Sequence, residues 1–225
     1  MRTKVLVSFP TPPKFPYLHK KVVFVSWRIL ADRRYEIEPM IPTKAPFENN
    51  LHHILNDFMT SDCTFWLSVD ADNPPIGKPL DLVEEDLDLV GYPTPVWHFD
   101  PESPVPGDRP FYWNAYDYVP EEDAYAEHDP KDGLQRVDAI GTGCFLVHRR
   151  VFEHPEMRKA PFQRTYYDDG TVKKGNDLAF SERVRRCGFS IYAHYGYPCS
   201  HYVELDINEA AAGFRNSHVK VSTER

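Results

Sequence analysis

A chain of 225 residues that is 41% hydrophobic and 14% aromatic has enough apolar surface for one sizeable core, which excludes a largely disordered polypeptide. The net charge of −8 is concentrated: residues 100–132 hold ten acidic side chains against Arg109 and Lys131 alone, so the remainder balances and no broad basic face for duplex nucleic acid is expected. No stretch approaches the length of a membrane-spanning helix and no long apolar leader follows Met1, so a single domain over residues 1–225 and a cytoplasmic location are the expectations.

In chain order, Lys4 to Phe9 (KVLVSF) is a buried strand ended by Pro10-Thr11-Pro12-Pro13, which cannot continue a ladder. Val22 to Leu30 is apolar enough for strand or buried helix; a helix is favoured because a parallel strand at Tyr35 to Met40 needs a crossover. Phe47 to Met59 is an amphipathic helix, with Leu51, Ile54, Leu55, Phe58 and Met59 at helical spacing. His52 and His53 are adjacent on it and diverge by about 100°, so they do not converge on one ion and are expected to face solvent or cap.

The next strand, Phe65 to Val69, stops at Asp70-Ala71-Asp72. An apolar run ending in carboxylates delivers charge to the rim of a sheet, and residues two apart project to one side, so both carboxylates can face one divalent cation. An Asp-Asn-Pro turn that uses Asp72 for local backbone amides accounts for the same residues equally well. Leu80 to Leu89 forms a short acidic helix or turn before a strand at Leu89 to Tyr92. Residues 93–133 are rich in proline, acids and aromatics. They are either an irregular flap, over 97–133, whose rings stack on sugars, or a hairpin whose aromatics pack on the core.

Gly141-Thr142-Gly143 enters the strand Cys144 to Val147, where glycine permits close approach of a ligand or a sharp bend. Gly175-Asn176-Asp177 opens a helix closed by Gly188, with Asp177 in its first turn, where the dipole favours the ionised carboxylate, as a base or as a simple cap. Ile191 to Ala193 is a last strand, followed by His201, which alone is more often structural than a ligand. Cys63, Cys144, Cys187 and Cys199 lack metal or disulfide spacing and are expected to be buried free thiols.

The order of these signals resembles glycosyltransferases of the GT-A fold, family 2 type. The residues that carry the likeness are Pro10-Thr11, Asp70-Ala71-Asp72 as a DxD element, GTGCFLVHRRVF from Gly141 to Phe152, GNDLAFSERVRRCGF from Gly175 to Phe189, and His201, together spanning Lys4 to Tyr202. The resemblance implies an α/β fold: a GT-A (Rossmann-like) domain with a mostly parallel central sheet, flanking helices and a smaller antiparallel β element. Residues 1–92 would be the nucleotide-binding half and 93–225 the acceptor half. It further implies that Asp72, His201 and Asp70 hold Mn²⁺ or Mg²⁺ on the diphosphate of a UDP- or GDP-sugar, and that Pro10, Thr11, Asp70, Gly141, Thr142 and Gly143 contact the donor. Asp177 would be the general base of an inverting transfer to a saccharide or other hydroxyl acceptor, with nucleic-acid base modification a minor alternative and a lipid-anchored acceptor less supported. The chain departs from the family pattern at Asn176, where a Glu is usual, and at Glu48-Asn49-Asn50, where an Arg-Asn pair is usual. A non-catalytic nucleotide-sugar or carbohydrate-binding module and a metal-dependent nucleotidyltransferase are the competing classes.

Overall fold

The computed structural model describes residues 2–11, 20–97 and 111–202. The first half runs β1 (Lys4–Ser8), α1 (Lys20–Leu30), β2 (Glu36–Met40), α2 (Phe47–Thr60), β3 (Phe65–Val69), a 3-10 turn (Pro79–Glu85) and β4 (Leu89–Gly91). It is the expected β-α-β-α-β alternation, and the ambiguous segment at Val22 is the crossover helix. The second half runs β5 (Pro95–Trp97), β6 (Phe111–Trp113), β7 (Ala115–Val119), β8 (Ala124–Glu127), β9 (Leu134–Val137), β10 (Ala139–Ile140), β11 (Cys144–His148), α3 (Arg149–Glu153), α4 (Pro155–Arg158), β12 (Thr165–Tyr166), β13 (Val172–Lys174), α5 (Asn176–Arg186) and β14 (Ile191–His194).

A seven-stranded sheet in the order β2-β1-β3-β11-β4-β14-β9 organises the described residues. Five strands (β1, β2, β3, β4 and β14) share one direction, while β11 and β9 run against them. Every residue of β3 is buried, as a strand covered on both faces must be. Its side chains alternate between two cores. Phe65, Leu67 and Val69 pack with Val22 and Ile29 of α1 and with Leu80 and Val83 of the 3-10 turn. Trp66 packs on the other face with Leu51, Ile54 and Phe58 of α2 and with Phe180 and Val184 of α5. A three-stranded sheet, β10-β7-β8, is the smaller antiparallel element.

Of the two readings of residues 93–133, the hairpin one matches the strands described: β5 pairs with β6 and β7 with β8, both antiparallel, while residues 98–110 lie outside the described residues. The described aromatics of these strands are half-buried, apart from the exposed Phe111, with Trp113 edge-on to Tyr195 at 6.2 Å and Tyr118 and Tyr125 bracketing the ammonium of the buried Lys174 at 5.9 and 5.7 Å. Consecutive side chains of a hairpin alternate between faces, so a sheet of this kind buries half its rings where a loop would expose them. All four cysteines are free thiols, but Cys187, at the C-terminal end of α5, is only half-buried.

Candidate functional site

The site lies where the co-directional strands end. Ser8 of β1 is level with Ser68 of β3, so Pro10 and Thr11 leave the sheet beside Asp70. Trp66 Nε1 donates to Ser8 Oγ at 2.8 Å inside the sheet, which fixes that register. Thr11 is held from behind: its carbonyl accepts from the side-chain amide of the buried Asn50 at 3.4 Å, and the same amide donates to Pro42 O at 3.2 Å. Asn50, which the sequence flags only as a departure, thus ties the start of α2 to the end of β1. The Thr11 hydroxyl is itself buried without a hydrogen-bond partner among the described residues.

Asp70 is positioned by its backbone N–H, which donates to Gly143 O at 2.8 Å and joins the carboxylate pair to the glycine-containing entry of β11. Its Oδ1 is enclosed and has no hydrogen-bond partner among the described residues. Burial, and next the charge of Asp72, push its pKa well above the ordinary carboxylate value. A carboxylate enclosed without a donor beside a second carboxylate is stable only if protonated or if a cation joins it.

The chain returns to this rim after β14. Pro75 bridges Cys199, Ser200 N donates to Pro74 O and Tyr202 N to Asp72 O, both at 3.0 Å, and this antiparallel pairing carries His201 to Asp72. His201 Nδ1 lies 3.1 Å from Pro95 O. A carbonyl only accepts, so Nδ1 carries a proton, and in the neutral ring Nε2 has the lone pair. Nε2 stands 3.8 Å from Asp72 Oδ2, too far for a hydrogen bond and short enough for one small cation to bond both. Imidazole nitrogen with hard carboxylate oxygens is a donor set that suits Mn²⁺ or Mg²⁺. Among the described residues no group of three His, Cys, Asp or Glu side chains is placed to hold a metal ion, so Asp72 and His201 are two candidate ligands rather than a metal centre.

Gly141 to Gly143 links the rim to α5. Thr142 Oγ1 accepts from Asn176 Nδ2 at 3.3 Å, which sets Asp177 in the first turn of α5 on the same side. A side chain at Gly141 would meet Asn114 Nδ2 at 2.0 Å, and one at Gly143 would meet Asn73 Oδ1 at 2.6 Å, so the close approach these glycines allow is to two asparagines of the protein. Asn114 in turn accepts from Thr94 N at 2.7 Å through its side chain. Neither asparagine carries a sequence signal, since each matters only through a partner far away in the chain.

Asp177 Oδ1 accepts from Leu178 N at 2.8 Å. Burial raises the pKa of Asp177, against the lowering effect of these backbone amides and of Arg164. Tyr116 of β7, half-buried in the antiparallel sheet, has its hydroxyl held far above its usual range by burial and then by Tyr112 and Asp177. On the other side Arg164 pairs with Glu48 at 2.5 Å, and a cleft of about 540 Å³ opens there between the start of α2 and residues 160–166, lined by Glu48, Asn49, His52, Phe162, Arg164 and Tyr166. His52 is exposed on its rim and His53 stands 3.9 Å from Asp57, so the pair diverges as its spacing requires.

The expected donor-side and metal residues, Pro10, Thr11, Asp70, Asp72, Gly141, Thr142, Gly143 and His201, therefore lie along one rim, with Asp177 joined to it through Asn176 and Thr142. No protein-family model and no curated protein matches the chain. Among solved structures, A197 from STIV matches with a TM-score of 0.56 over 91% of this chain and 87% of that one, at 15% identity. GalNAc-T7 with UDP, GalNAc and Mn²⁺ matches at a TM-score of 0.49 and 12% identity, over 91% of this chain and 44% of that one. The inositol-1-phosphate CTP transferase from T. maritima matches at 0.48 and 9%, over 100% and 98%. At 15% identity the likeness to A197 is one of fold; the other two are looser still and say nothing about activity. The mixed α/β architecture with its mostly parallel sheet is the one that the GT-A resemblance implies.

Proposed function

We propose that the chain is a metal-dependent inverting glycosyltransferase built as one GT-A domain, moving a sugar from a UDP- or GDP-sugar to the hydroxyl of a saccharide or other acceptor. The observation that carries this reading is the approach of His201 Nε2 to Asp72 Oδ2, 3.8 Å apart, at the rim where the Asp70 backbone also meets Gly143. Asp72 and His201, with Asp70 behind them, would hold Mn²⁺ or Mg²⁺. When bound, that ion supplies positive charge against the diphosphate leaving group.

The remaining steps belong to side chains. Pro10 and Thr11 would border the nucleotide, and Gly141 to Gly143 the donor sugar. Asp177 would accept the proton of the acceptor hydroxyl as its oxygen bonds to the anomeric carbon and the carbon–oxygen bond to the diphosphate breaks on the opposite face. One oxygen of Asp177 is oriented by Leu178 N–H, which leaves the other for that proton. The cleft beside Arg164 lies on the acceptor side of this base and offers hydrogen-bonding groups next to aromatic rings, a lining suited to a sugar.

The test is the melting temperature of the protein with UDP-, GDP-, dTDP-, CDP- and ADP-sugars, each with Mn²⁺ or with EDTA. A ligand at about 100 times its Kd adds roughly 2.7 kcal/mol. One nucleotide class should stabilise only with metal, and Asp72→Ala should remove that shift and all transfer while the protein stays folded. A fully active Asp72→Ala overturns the reading, and binding without turnover leaves a sugar-nucleotide-binding module.

A further inference from the structure

The exposed face of α1 is out of keeping with a helix that only supports a sheet. Val22 and Ile29 are buried beneath it, as a crossover helix requires, yet Phe24 is 69% and Trp27 78% exposed, and Val23 and Leu30 are exposed beside them. Positions 23, 27 and 30 recur at helical spacing and 24 adjoins them, so they form one apolar stripe turned away from the core. Residues 22–34 carry Arg28, Arg33 and Arg34 against Asp32 alone, a net positive charge in a chain of net −8. Arg34 is taken up by Asp32 and Asp81, each at 2.6 Å, whereas Arg28 forms no salt bridge among the described residues. Arg28 and Lys78 flank a cleft of about 500 Å³ at the C-terminal end of the helix, whose floor is Val25, Ile29, Pro79 and Leu80.

We propose that this face of α1, with the adjoining cleft, docks on an anionic lipid bilayer, the helix lying along the membrane surface. Trp and Phe side chains seat at the boundary of headgroups and acyl chains, while cations within one turn of them meet the lipid phosphates. The charge argues for this occupant over a second copy of the chain, because two such faces brought together would juxtapose like charges. The proposal does not depend on the activity proposed above, and it is compatible with the absence, among the described residues, of any helix long and apolar enough to cross a membrane.

The experiment is flotation of the full chain with vesicles of phosphatidylcholine alone or mixed with phosphatidylglycerol, at low and high salt, read alongside tryptophan emission. Association is expected with the mixed vesicles only, reduced by salt, with a blue shift that Trp27→Phe removes. Trp27→Ser should weaken binding by more than about ten-fold, and Arg28→Gln or Lys78→Gln by about five-fold each, the fold-change equivalent to roughly 1 kcal/mol per cation at a membrane surface. No association of the unaltered chain with anionic vesicles overturns the proposal, as does association that Trp27→Ser leaves unchanged. A dimer in solution that Trp27→Ser dissolves, without vesicle binding, assigns the face to a second copy instead.

Discussion

Asp70 shows how a candidate site residue can work against the fold that holds it. Its unfolded form ionises at the ordinary carboxylate pKa, while burial and Asp72 keep the folded form protonated to a higher pH. The folded state therefore binds more protons in that window, and stability falls as pH rises through it. Asp70→Asn should melt close to the unaltered protein at about pH 4 and progressively above it towards neutrality. Mn²⁺ should narrow the difference by stabilising only the unaltered chain; melting curves against pH with and without metal test both. Asp177, also raised by burial, should place the acidic limb of a pH–rate profile above the ordinary carboxylate value, and Asp177→Asn should abolish transfer while leaving the donor's thermal shift intact. The two aspartates and Asp177 are visible in the sequence because local pattern delivers them, one pair at a strand end and one residue at a helix start. Asn73, Asn114 and Arg164 are not, because each acts on a residue that only folding brings near.

At the scale of elements, the glycine-rich entry to β11 is the hinge of the arrangement. Local reasoning identifies Gly141 and Gly143 as sites of close approach and cannot say what approaches. The partners are Asn114, which joins β6 to β7, and Asn73, in the turn after β3. Gly141→Ala would drive a methyl into the Asn114 amide and disturb its bond to Thr94, so it should destabilise the protein by about 1–3 kcal/mol, measured by urea unfolding. The antiparallel strands β5 to β8 were the least legible element. Their prolines and acids suggest a loop, and what holds them in place comes from more distant segments: Asp138 Oδ2 accepts from Tyr118 N at 2.9 Å, and Lys174 and Arg185 pack against Tyr118.

At the scale of the molecule, the two faces of the sheet do different work. On the α2 and α5 face, Trp66, Phe145, Phe152, Phe162 and Phe180 form one aromatic cluster, with Phe162 and Phe180 only 4.6 Å apart between ring centres. Because α5 also carries Asp177, Phe180→Ala should cost about 3–5 kcal/mol and lower activity as well, seen as a reduced urea midpoint with an unchanged slope. The sequence by itself determined the alternation of strands and helices, the covered central strand, the free cysteines and the identity of the rim carboxylates, because hydrophobic period and chain punctuation are local properties. Only the tertiary structure decided that His201 returns to Asp72 with its Nδ1 on the Pro95 carbonyl, that Asp70 Oδ1 is enclosed with no hydrogen-bond partner among the described residues, and that Phe24 and Trp27 are left outside the core. Those facts depend on which distant segments share a surface, and on how much water remains between them.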